Sequence, residues 1–120
     1  MATEPTVVHC HCNNCKRSVG SSFVSWAVIP LKDLKQIGEQ PTIHVTDEKV
    51  ERGFCSKCGS SISYFQRDGE SIDITVGTMD DPSSVKPSKH IWDRKRIHWI
   101  KMDDGLPHFS EWSAGSEPIE

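Results

Sequence analysis

The chain of 120 residues has no apolar run approaching the roughly 18 to 20 residues that cross a bilayer, which excludes a membrane-spanning helix. It has no basic excess either. Fourteen Lys and Arg stand against 17 Asp and Glu, for a formal charge of −3, so the electrostatic footprint of a nucleic-acid surface is missing. Hydrophobic residues make up only 35 %, which suits one domain with a modest core that a structural metal would help to staple. Met1-Ala2-Thr3-Glu4-Pro5 lacks the basic and then apolar regions of a signal peptide. The expectation is therefore a cytoplasmic chain with reduced thiols. Its five cysteines cannot close into disulfides without a remainder, and clustered thiols in a reducing compartment point to metal.

What is present is concentrated sulfur. Cys10-His11-Cys12-Asn13-Asn14-Cys15 carries three cysteines in six residues, and Cys55 and Cys58 form a separate C-x-x-C. In an extended segment side chains alternate, so Cys10 and Cys12 share one face while His9 and His11 project to the other. A turn at Asn13-Asn14 then folds Cys15 back towards both sulfurs. Three thiolates converge with no fourth ligand aimed at them, which is the open arrangement of a catalytic zinc rather than a closed structural one. Soft sulfur donors favour zinc over magnesium, calcium or manganese. Lys16 and Arg17 can offset the net −1 of three thiolates on Zn²⁺. A metal-free exposed thiol cluster is the alternative for the trio. For Cys55 and Cys58 the alternatives are a redox pair, which lacks a βαβ setting, or a shared four-cysteine site with one spare thiol.

Elsewhere the chain reads as short strands. Val7-Val8, Phe23–Ile29, Thr42–Thr46, Ser61–Phe65 and Ser71–Val76 are rich in β-branched and aromatic residues, and Arg67-Asp68-Gly69 is a hairpin turn. Val50–Phe54 leads into the Cys55 turn. Leu31, Leu34 and Ile37 allow a short helix or, equally, a loop with one helical turn, and Ile97–Ile100 suggests a last strand or edge segment. Trp26 is expected in the core, and Asp73, between Ile72 and Ile74, is expected to face solvent. The resulting layout is a lead-in over 1–6, one mainly β domain over 7–109 with little helix, and a polar, disordered tail over 110–120.

Several blocks resemble the glutathione-dependent formaldehyde-activating enzymes and the related centromere-protein-V-type domain. They are Cys10–Arg17 with Gly20, Phe23–Pro30 with Trp26, Glu51–Ser60, Ile72–Gly77, Asp80-Asp81-Pro82, His90-Ile91-Trp92 and Asp104–Pro107. The resemblance implies a zinc-organised β-tent of small antiparallel sheets with two metal sites. Cys10, Cys12 and Cys15 would hold an open-site Zn²⁺, and Cys55 and Cys58 would supply half of a structural one. The family completes that second site from a C-x-C-G strand upstream of the trio, which this chain lacks, so the second site is expected to be short of two ligands. The activity implied is that of a carbon–sulfur lyase joining glutathione and formaldehyde as S-hydroxymethylglutathione. Arg17 is a docking candidate for the substrate carboxylates, and His90 and Trp92 are candidates for the pocket wall. The competing readings are a non-catalytic zinc module and a truncated, inactive family member.

Overall fold

The computed structural model describes residues 5–114 and 116–119. Among the described residues seven strands form: β1 (Thr6–Cys10), β2 (Val24–Pro30), β3 (Thr42–Thr46), β4 (Val50–Phe54), β5 (Ser61–Gln66), β6 (Ser71–Thr75) and β7 (Pro87–Ile91). An α-helix, α1 (Asn13–Val19), joins β1 to β2. The fold is mainly β, as expected. Instead of several small sheets, the strands make one mixed sheet in the order β3-β4-β5-β6-β2-β1-β7. β1 pairs in parallel with β7, and the other ladders are antiparallel.

Register decides which side chains meet. β1 sets Val8 opposite Trp26 and Cys10 opposite Val24, and these four form a buried cluster with Cys15 and Ile91. The alternate residues, Val7 and Ala27, are buried on the reverse face. The central strands are thus covered on both sides, which removes the simple rule that one face of an antiparallel strand meets water.

Two local segments are decided for identifiable reasons, the first in favour of a loop with one helical turn. Leu31–Ile37 is not a helix; only a 3₁₀ turn forms over Leu31–Asp33. Ile37 is 77 % exposed, so no apolar surface receives that stripe, and a run this short cannot nucleate on propensity alone. Ile97–Ile100 is not a strand. The Ile100 N–H donates to the Ile97 carbonyl at 2.9 Å, closing a turn. The last strand is β7, and the chain beyond it returns alongside. The His90 N–H donates to Pro107 O and the Trp92 N–H to Glu111 O, both at 2.9 Å. Ile119 N–H donates to His108 O at 2.7 Å. No helix among the described residues is long and apolar enough to cross a membrane.

Candidate metal centre

The trio is assembled by a strand end and a helix start. β1 stops at Cys10, and the His11 N–H donates to Ile91 O at 3.1 Å, holding the chain beside β7. Cys12, with φ −63° and ψ 147°, is the N-cap of α1. Its Sγ accepts the Cys15 N–H at 3.3 Å, taking the role that a serine or aspartate oxygen usually fills. The Asn13-Asn14 turn of the sequence reading is the first turn of this helix. Gly20 ends it at φ 72°, its N–H donating to Lys16 O at 2.8 Å, a left-handed cap that suits glycine. Cys15 therefore turns back over β1, and the three Sγ atoms lie within 4.8 Å of one another. A tetrahedron with bonds of about 2.3 Å separates its sulfurs by roughly 3.8 Å, so the trio is sized for a metal ion.

Its electrostatics agree. Hydrogen bonds from Cys10 and Cys15 hold the Cys12 thiol well below the ordinary thiol range. The bonds that Cys10 makes to Cys12 and Cys15, with burial, push its own thiol far up. Protons thus share the small space among three sulfurs, and a divalent cation can take their place. Arg52 on β4 reaches the cluster, its Nη2 lying 3.8 Å from Cys15 Sγ. The same guanidinium lies over the Tyr64 ring, 4.9 Å from the centroid. Its Nη1 is buried with no hydrogen-bond partner among the described residues. The anionic group beside it is the sulfur cluster.

A cavity of about 310 Å³ opens beside Cys12 and Cys15, bordered by Trp26, Trp92 and Trp112. Arg52, Tyr64 and Asp73 line it as well. These last three are a single cross-strand row, since Arg52 opposes Tyr64 and Tyr64 opposes Asp73. Asp73 does not face solvent as expected. Ile72 and Ile74 take the reverse face of β6, and the Asp73 carboxyl lines the cavity, where burial pushes it up to about 6. Of the three candidates for substrate contact, Arg17, His90 and Trp92, only Trp92 lines the cavity. Arg17 stays exposed on α1, outside the cavity lining. Neighbouring Lys16 donates instead to Lys95 O at 2.7 Å.

His90 is on the other side of the sheet. In the β1·β7 register it pairs with His9, and its Nδ1 meets His11 Nε2 at 2.9 Å. Its Nε2 meets Asp104 Oδ2 at 2.8 Å. Both His11 and His90 are fully buried, so His9 and His11 point away from the sulfurs, as strand alternation requires. His90, Asp104 and His108 also bring ligand atoms within 4.8 Å. In this arrangement both His90 nitrogens are already bonded, and the His90 and His108 rings stack parallel to within 1°. One ion cannot lie in both ring planes.

Cys55 and Cys58 border the turn after β4. Gly59, at φ 80°, donates its N–H to Cys55 O at 2.7 Å. Cys58 Sγ lies 3.1 Å from Ser60 Oγ. Among the described residues no His, Cys, Asp or Glu joins this pair in a group of three.

Sequence reading missed Arg52, Tyr64 and Asp73. Each stands on a strand with alternating neighbours, but only the pairing of β4, β5 and β6 aligns them. A search of curated proteins found no match to the chain. Residues 1–95 match the family described as Glutathione-dependent formaldehyde-activating enzyme. That match spans the trio, α1, all seven strands and the Cys55–Cys58 turn, and the chain belongs to the glutathione-dependent formaldehyde-activating enzyme family.

Proposed function

We propose that the chain is a zinc-dependent carbon–sulfur lyase that joins glutathione and formaldehyde reversibly as S-hydroxymethylglutathione. The observation that carries this reading is the opening of the sulfur trio, through Cys12 and Cys15, into the cavity of about 310 Å³. A structural zinc is closed by four protein ligands, whereas three ligands beside a cavity leave a position for substrate. The donor set suits zinc, with three soft sulfurs within 4.8 Å and the Arg52 cation at 3.8 Å to offset the net −1. When bound, zinc supplies Lewis acidity, which acidifies a thiol and polarises a carbonyl.

The chain's own residues do the rest. Trp26, Trp92 and Trp112 wall the cavity and displace water, which strengthens every charge interaction inside it. Arg52 holds its place by the contact with Cys15 Sγ and by stacking on Tyr64. The substrate sulfur adds to the aldehyde carbon and the carbonyl π pair moves to oxygen. That oxygen takes up one proton, equal in number to the proton the thiol gave up. Cys55 and Cys58 are assigned to half of a separate structural zinc site.

The test is to count zinc per purified chain and to follow formaldehyde-dependent loss of free glutathione thiol. The wild type should turn over and Cys12→Ala should not. Normal turnover by Cys12→Ala overturns the catalytic reading. Zinc retention with no turnover by the wild type leaves a non-catalytic metal module.

A further inference from the structure

We propose that this cavity selects thiols that also carry an ammonium group, and that Asp73 is the receptor for it. The inference rests on the thiol–aldehyde reading of the trio, and it starts from the charge layout of the row Arg52–Tyr64–Asp73. Arg52 and Asp73 stand on strands β4 and β6, which flank β5. Their backbones are therefore about 10 Å apart. The Arg52 guanidinium is drawn the other way, to Cys15 Sγ, and lies over the Tyr64 ring. Among the described residues, no ion pair within 4.0 Å includes Asp73.

Asp73 is thus a carboxyl in a cavity wall without a partner among the described residues. Burial is the one cause acting on it, with no hydrogen bond or neighbouring charge to offset it. Tyr64 comes from β5 and Arg52 from β4, while β2 presents Val28 and Trp26. Asp47, Lys95 and the sulfurs of Cys12 and Cys15 border the same cavity. Lys89 borders the adjoining one, which Asp73 also lines, and its Nζ lies 6.0 Å from the Phe109 ring centroid.

Asp73 is half-buried, and taking a carboxylate partly out of water without a partner is costly; a ligand cation offsets that cost while gaining a charge-assisted hydrogen bond. Trp26 and Trp112 line the cavity with Asp73, and aromatic faces attract ammonium groups as well. The site therefore fits a ligand whose sulfur sits at the Cys12–Cys15 end and whose ammonium lies several bonds away. The γ-glutamyl amine of glutathione has that relation to its thiol.

The experiment measures binding, not turnover. The zinc-containing full chain is titrated at pH 7.5 with glutathione and with N-acetylglutathione, following quenching of the cavity tryptophans. The wild type should bind the acetylated thiol about tenfold more weakly or worse. Asp73→Asn should bind glutathione more weakly by a similar factor and should no longer distinguish the two thiols. Below pH 6 the wild type should lose its preference as Asp73 takes up its proton. Equal affinity of the wild type for both thiols overturns the Asp73 assignment and leaves the lyase reading intact, as does undiminished discrimination in Asp73→Asn. Failure of the wild type to bind glutathione at all overturns both.

Discussion

Replacing Asp73 by Asn should make the protein more stable at neutral pH, by an amount that depends on pH. In the fold the Asp73 carboxyl is pushed up from 3.8 to about 6 by burial. Between those values the folded chain holds a proton that the unfolded chain has released. Stability therefore falls as pH rises through this window and levels off above about 6. At about 1.4 kcal/mol per pH unit, the difference reaches ~3 kcal/mol. The amide of Asn has the shape of the protonated carboxyl, so the two proteins should match within about 1 kcal/mol at pH 4. At pH 7.5 the Asn form should be ahead by roughly 1 to 3 kcal/mol, part of the gap being lost to the solvent that reaches the cavity. Urea unfolding of both zinc-containing proteins at a series of pH values measures this. Every other titrating group, including the trio, cancels in the difference between them. A difference that stays flat from pH 4 to 7.5, or that favours Asp as pH rises, would refute the reasoning. The predicted trade is of a familiar kind, in which a functional group is held in a cavity at the expense of stability.

Other outcomes can be checked independently. Arg52→Met should weaken zinc retention against a competing chelator by about tenfold or more, and Arg52→Lys by less, because only the lysine keeps a cation beside the sulfurs. A Cβ at Gly53 would collide with Ser63 Oγ and lie 3.3 Å from Pro41 Cγ. Gly53→Ala should therefore cost about 1 to 3 kcal/mol in chemical unfolding, and adding Ser63→Ala should restore much of it. With metal at the Cys10–Cys12–Cys15 trio and none at the Cys55–Cys58 pair, iodoacetamide mapping by mass spectrometry should find Cys58 modified first, since it is exposed and the Ser60 hydroxyl lowers its thiol. After chelation Cys12 should become reactive, while Cys10, buried and held protonated, should lag behind it.

The sequence by itself determined the parts of this protein that are local. Three cysteines in six residues must lie close together whatever the rest does. Alternation along an extended segment turned His9 and His11 away from Cys10 and Cys12, as the His11–His90 bond bears out. Turn residues such as Arg67-Asp68-Gly69 separated the strands, and family blocks spread along the chain identified the family. Tertiary structure decided whatever depends on which strands are neighbours. β2 lies between β1 and β6, and β1 pairs with β7 from 80 residues further on. Those pairings sent His90 to the reverse face and aligned Arg52, Tyr64 and Asp73 on the sulfur side. Asp73 between two isoleucines reads as solvent-facing only if one face of the strand is buried. Here both faces of β6 are partly covered, and Asp73 lines the cavity. The thiol trio was legible because its sulfurs are neighbours in the chain, and the Arg52 counter-charge and the Tyr64–Asp73 wall beside it were not, because they are neighbours only in the sheet.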